Sequence, residues 1–176
     1  MLHRVSVGLM LLLLANVQLA HADGARGIVF ISGGQTTAEQ DEFSGTATAV
    51  KFGSGFQATN SSSLEIYWTS YGEAKEKVAG ADFRAEAFSL ALLYGYHYPL
   101  GAGVDLLAKA GAVLWKTNYG FVGFPKDQDQ GVDLIVAAGT EIDIGGDWAF
   151  RVEWEYSEFD QTDVSLISAG VISYFD

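Results

Sequence analysis

The sequence predicts an all-β fold, an eight-stranded antiparallel up-and-down transmembrane β-barrel. Three observations carry that prediction. Residues 148–156 alternate without a break, with Trp148, Phe150, Val152, Trp154 and Tyr156 on one side and Ala149, Arg151, Glu153 and Glu155 on the other. A strand sends successive side chains to opposite faces, so this segment has an aromatic face and a charged face. The same dyad recurs along the chain, most cleanly in its C-terminal half, where uncharged faces oppose charged ones as lipid outside and a polar lumen inside would require. A leader-like N-terminus and the absence of cysteine complete the case, because an exported chain without disulfides must be held by hydrogen bonding and burial. A closed barrel pairs every strand edge and can do so.

The leader comes first in the chain. Arg4 supplies a positive start, residues 7–17 an apolar run, and Ala20-His21-Ala22 a small-x-small site, so cleavage between Ala22 and Asp23 is expected. The run is too short to span a bilayer as a helix, which needs about 20 apolar residues. Residues 1–22 therefore read as a signal peptide and 23–176 as one barrel domain. Loss of Arg4 leaves nine Lys and Arg against 22 Asp and Glu, a net charge of −13. Nucleic acid, whose phosphates demand a basic surface, is not an expected partner.

The strands follow in order. Strand one, 27–35, is apolar on both faces and its orientation stays open. Strand two, 46–57, sets Val50, Phe52 and Phe56 against Lys51, Gly53 and Gly55. Strand three, 64–71, sets Leu64, Ile66 and Trp68 against Glu65, Tyr67 and Thr69. Strand four, 86–98, sets Phe88, Leu90, Leu92, Tyr94 and Tyr96 against Ser89, Ala91, Gly95 and His97. Strand five, 104–114, sets Val104, Leu106, Ala108, Ala110, Ala112 and Leu114 against Asp105, Leu107, Lys109, Gly111 and Val113. Strand six, 132–144, carries Asp133, Glu141 and Asp143 on its inner side, strand seven is 148–156, and strand eight, 164–175, carries Leu166, Ser168, Gly170 and Tyr174 inward. A charge turned to lipid would cost about 2–4 kcal/mol near the midplane, which is the selection behind the pattern.

Connections alternate in length. Those around 59–62, 100–103 and 145–147 are short and belong on the periplasmic side; those around 35–45, 72–81 and 117–131 are longer, acidic and expected outside. Tyr94, Tyr96, Trp148 and Phe175 then fall near the inner rim, and Trp68, Tyr156 and Phe159 near the outer rim. If 145–147 is a three-residue loop, Ile144 opposes Trp148 and Glu141 opposes Arg151 across strands six and seven. Counting back from the 100–103 turn places His97 opposite Asp105, as a satisfied rim histidine.

Gly139-Thr140-Glu141, the 150–156 segment, and Ile167-Ser168-Ala169-Gly170-Val171 closing on Phe175 resemble the final strands of OmpA-like and OmpX-like outer-membrane barrels, the porin-family outer-membrane β-barrel domain. Tyr98-Pro99-Leu100 followed by Leu107-Ala108-Lys109-Ala110-Gly111 is similar to that family's middle hairpin. The resemblance implies a Gram-negative outer-membrane location, insertion by the barrel-assembly machinery with Phe175 as assembly signal, and contact with lipid and lipopolysaccharide. A monomer is expected. No peptidoglycan-binding domain follows the barrel in the sequence, so wall anchoring is not.

An eight-stranded barrel is just wide enough for its own side chains, so inward charges must meet one another. The resemblance implies a lumen ion-pair network described as a gate, with Glu141 and Arg151 at matching positions and Glu65 as a further acid. The family's gate lysine maps near Gly95, while Lys109 is an inward base on the matching strand and Glu153 an inward acid on strand seven. A structural plug, in which buried ions pair because leaving one alone is costly, is favoured over a working gate. The functional expectation is a membrane-stabilising protein with at most narrow passive permeability. A surface adhesin acting through its outer loops is the alternative, with Glu39, Asp41, Glu42, Glu73, Lys75, Glu76, Lys77, Lys126, Asp127 and Asp129 supplying charge and Phe121, Phe124 and Pro125 a knob for a host surface ligand. Lipid A modification and a soluble lipocalin-like binder are further alternatives. No enzyme, metal or cofactor is expected: Gly53, Gly55 and Gly111 read as small lumen residues, not phosphate cradles.

Overall fold

The computed structural model describes residues 25–40, 43–78, 81–121, 127–159 and 162–176. They form eight strands: β1 (Arg26–Gln40), β2 (Phe43–Thr59), β3 (Ser62–Val78), β4 (Ala81–Gly101), β5 (Val104–Phe121), β6 (Asp127–Gly145), β7 (Trp148–Phe159) and β8 (Thr162–Phe175). Each pairs antiparallel with its sequence neighbour, and β1 pairs with β8 from Gly27↔Phe175 to Glu39↔Asp163, closing the barrel. The expected fold class and strand number are borne out. Cleavage between Ala22 and Asp23 lies outside the described residues.

The alternation becomes inside and outside. On β7, Ala149, Arg151, Glu153, Glu155, Ser157 and Phe159 are buried in the lumen, while Trp148, Phe150, Val152 and Trp154 are exposed on the wall. An outward aromatic ladder crosses β2, β3 and β4, with Phe52 and Trp68 ring centroids 5.0 Å apart and Trp68 stacked on Phe88 at 5.9 Å. The first strand, whose sequence left its faces open, turns Ile28 and Phe30 inward, because its register against β8 puts Ile28 beside the inward Tyr174.

Several expectations are corrected. The longer connections are mostly strand: β3 and β4 run on to Val78 and Ala81, and β5 and β6 to Phe121 and Asp127. A bulge between Ser70 and Glu73 falls within that extension. Gly72 sits there at φ 79°, a backbone that L side chains rarely adopt, and the extra residue returns Ala74 to the lumen side after Tyr71. Phe159 is not part of the outer girdle: it shares the parity of Arg151 and Glu155 and points inward. The 145–147 loop is a two-residue Gly146-Asp147 turn with Ile144 bulged, so Trp148 faces Gly145 rather than Ile144. One residue fewer in the turn and one more in the bulge leave the register below unchanged. The 100–103 connection is a tight two-residue Ala102-Gly103 turn with Gly101 facing Val104, followed by a one-residue bulge between Pro99 and Gly101, so Asp105 faces Pro99, and His97 faces Leu107.

Candidate functional site

The lumen side chains come from strands whose inward positions the dyad and register select. Glu141 on β6 and Arg151 on β7 are directly opposite, and both face inward. Arg151 Nε and Nη2 donate to Glu141 Oε2 at 3.0 and 2.9 Å, and Nη1 reaches across the barrel to Glu65 Oε2 on β3 at 3.0 Å. The same Glu65 oxygen accepts from Lys109 Nζ at 2.7 Å, and Lys109 also pairs with Glu153. All five residues named from sequence, Glu65, Lys109, Glu141, Arg151 and Glu153, therefore lie in one connected cluster. Lys109 sits opposite Gly95 in the β4–β5 register, the position to which the resemblance assigned a lysine. Its stem occupies the space that a side chain on β4 would otherwise fill: an ideal Cβ at Gly95 would lie 3.4 Å from Lys109 Cγ and 2.5 Å from Ser63 Oγ.

Four further members were not singled out. Lys51 Nζ on β2 lies 2.5 Å from both Glu153 Oε1 and Glu155 Oε1, and the Tyr67 hydroxyl donates to Glu155 Oε1 at 2.9 Å. Tyr174 donates to Glu141 Oε1 from β8. Lys51 and Glu155 had a signal in the sequence, since each has the inward parity of its strand. Tyr67 and Tyr174 had the parity too, but their hydroxyl partners stand on strands distant in sequence. The cations are also roofed by rings, with Lys51 Nζ 4.9 Å from the Tyr67 centroid and Arg151 Cζ 5.5 Å from that of Phe30.

Four glutamates thus face three cations in a space from which β-sheet walls exclude bulk solvent. Each charge is met by at least one opposite charge and most by two, which is the condition under which buried ions are tolerated. Chemically the arrangement is a cross-brace. Its bonds join β2 to β7, β3 to β5 and β7, and β6 to β7 and β8.

His97 is not at the rim. Its side chain is fully buried in the lumen, and Nε2 shares a 2.9 Å hydrogen bond with Ser63 Oγ. A serine beside an imidazole could be a nucleophile and its base. Here Nδ1 has no orienting partner among the described residues, and Ser63 is buried as well, so the pair reads as internal hydrogen bonding. Gly53 behaves as a small lumen residue: an ideal Cβ there would come within 2.4 Å of Tyr67 Cβ and 2.8 Å of Phe30 Cζ. Of the outer charges, Glu39 is exposed one residue before the end of β1, and Asp129 accepts from the Tyr119 hydroxyl at 2.6 Å. Asp41, Glu42, Phe124, Pro125 and Lys126 lie outside the described residues.

Comparison with known proteins agrees with this architecture. A family described as "Outer membrane protein beta-barrel domain" matches residues 7–175. Outer membrane protein A of Serratia marcescens is 28% identical over 109 residues, which cover 58% of this chain but only 30% of that protein's length. Neisserial surface protein A superposes with a TM-score of 0.73 at 16% identity, covering 86% of this chain and 99% of that one. Ail, the attachment invasion locus protein of Yersinia pestis, solved in complex with the heparin analogue sucrose octasulfate, gives a TM-score of 0.64 at 14% identity, covering 86% and 99%. The N-terminal barrel of Pseudomonas aeruginosa OprF gives 0.59 at 13% identity, covering 83% and 97%. At these identities the structural likenesses speak for the fold.

Proposed function

The chain belongs to the outer membrane protein β-barrel domain family, and we propose that it serves the outer membrane as a sealed structural barrel with at most narrow passive permeability. The observation that carries the reading is the cross-brace. Seven charged side chains from β2, β3, β5, β6 and β7 fill the lumen with ion pairs, and no ordinary solute could pass without breaking several of them. Function does not follow from the fold alone, and the argument rests on these residues. The lumen ions act as a plug: each is held by a neighbour of opposite charge, and the cost of stranding any one keeps the set together. On this reading the protein is not an enzyme, and its partners are the surrounding lipid and lipopolysaccharide and, during insertion, the assembly machinery.

Planar-bilayer recording of the refolded protein, paired with deletion of its gene, tests this. The expected result is rare, small openings together with greater detergent sensitivity of the cells lacking it. A large steady conductance would sink the plug, and unchanged envelope integrity would sink the structural role.

A second reading is supported by the heights of the strands. A membrane strand needs about 9–11 residues, whereas β4 has 21 and β6 has 19 against 12 for β7. The β3–β6 sector therefore projects beyond the outer surface, and Arg84 and Lys116 lie on its outer half. Binding of an anionic host polymer by these hairpins is the adhesin alternative. Loss of cell attachment on trimming them, with the heat-dependent gel shift of a closed barrel retained, would favour it.

A further inference from the structure

Above the ion cluster, the lumen is closed a second time by three aromatic rings. Tyr71 comes from β3, Trp115 from β5 and Phe159 from β7. In a closed ring of eight, β3 and β7 stand four places apart, on opposite walls. Phe159 nonetheless stacks on Trp115, with centroids 5.2 Å apart and planes at 17°, and meets the Tyr71 ring edge-on at 5.6 Å and 79°. The three rings therefore bridge the diameter. Two of them are tied to the wall: Trp115 Nε1 donates to Asp133 Oδ2 at 2.5 Å, and the Tyr71 hydroxyl shares a 3.0 Å hydrogen bond with Ser89 Oγ. They are 4%, 6% and 4% exposed, and Val113, Ile135 and Val164 belong to the same apolar cluster. On β7 the order from the periplasmic end is Arg151, Glu153, Glu155, Ser157 and Phe159, so this tier lies on the outer side of the ions.

We propose that Tyr71, Trp115 and Phe159 form an aromatic lid, a second permeability barrier in series with the ion cluster and independent of it. This rests on the reading of a sealed lumen and names the residues that complete the seal. Charge pairs and stacked rings resist an ion for different reasons, the first by occupying the path with bonded charges and the second by leaving nothing to replace its hydration. Two barriers in series conduct only as well as the tighter one. Opening the ion cluster alone therefore leaves the barrel closed from outside.

The test compares Arg151→Ala, Phe159→Ala and the double variant in planar bilayers, each first shown to migrate as a closed barrel before boiling. Either single variant is expected to change steady conductance less than about two-fold, and the double variant to raise it more than ten-fold. The sequence has no cysteine, so a single Ser157→Cys, buried between lid and ions, gives a second readout. A charged, membrane-impermeant thiol reagent added outside should modify it at least ten-fold faster with Phe159→Ala than without it. Phe159→Leu should stay slow, and Arg151→Ala should not accelerate modification. Full opening by Arg151→Ala alone, or equal labelling rates with and without Phe159→Ala, would overturn the lid. A wild-type protein that already conducts strongly would instead overturn the sealed-barrel reading on which it rests.

Discussion

Arg151 is the residue whose loss the geometry prices most clearly. It donates three hydrogen bonds, two to Glu141 Oε2 and one to Glu65 Oε2, from a buried position. Arg151→Ala leaves four lumen glutamates against two lysines, so the imbalance grows from one charge to two. Glu65 keeps Lys109, whereas among the described residues Glu141 keeps only the Tyr174 hydroxyl. Removing one member of a buried pair costs about 3–5 kcal/mol, because the other is stranded, which amounts to roughly 10²- to 10³-fold or more in the folding equilibrium. The assay is reversible urea unfolding in lipid vesicles, read by the gel mobility of the closed barrel. Glu141→Gln in the same background completes a double-mutant cycle, since a neutral partner no longer needs the guanidinium. The double variant should be more stable than the sum of the two losses allows, by about 2 kcal/mol. Additivity within about 0.5 kcal/mol would refute the claim that this pair is braced by charge.

Three further outcomes follow from the same wall. Gly53→Val should destabilise by about 1–3 kcal/mol or more, since even a Cβ meets Tyr67 at 2.4 Å and the Ile66 carbonyl oxygen at 2.5 Å; normal urea stability would contradict the packing. Val152→Arg puts a charge on the lipid side of β7 and should cost about 2–4 kcal/mol if it lies near the midplane, in the same vesicle assay; a neutral effect would mean that this face does not meet lipid. Tyr67→Phe removes the 2.9 Å donor to Glu155 without changing volume and should cost about 1.5–3 kcal/mol; an unchanged unfolding midpoint would show that Lys51 alone suffices for that carboxylate.

The inward and outward faces of β2 to β8 were legible because alternation is local: one residue turns the side chain over, and lipid on one side punishes every error. The Glu141–Arg151 opposition was legible for the same reason, although the turn that sets it differs in detail, since Ile144 bulges and the two changes cancel. His97 was misplaced because the turn is tighter than 100–103, with only Ala102 and Gly103 in it. Even after the one-residue bulge at Pro99–Gly101 the partner is Leu107 rather than Asp105, a two-residue slip that leaves no mark on the alternation. Phe159 could have been read inward from parity alone.

The sequence by itself determined the fold class, the side of the wall on which each central residue of β2 to β8 lies, and which charges enter the lumen. Backbone geometry and the contrast between lipid and a polar interior act on each strand separately, so neighbours in sequence suffice. The tertiary structure decided which inward groups meet: Arg151 with Glu65, Lys51 with Glu153 and Glu155, Phe159 with Tyr71, and Ile28 turned inward beside Tyr174. Those contacts depend on strand stagger and on closure of β1 against β8, which set the height at which opposite walls face each other. No single strand carries that information, because it belongs to the ring as a whole.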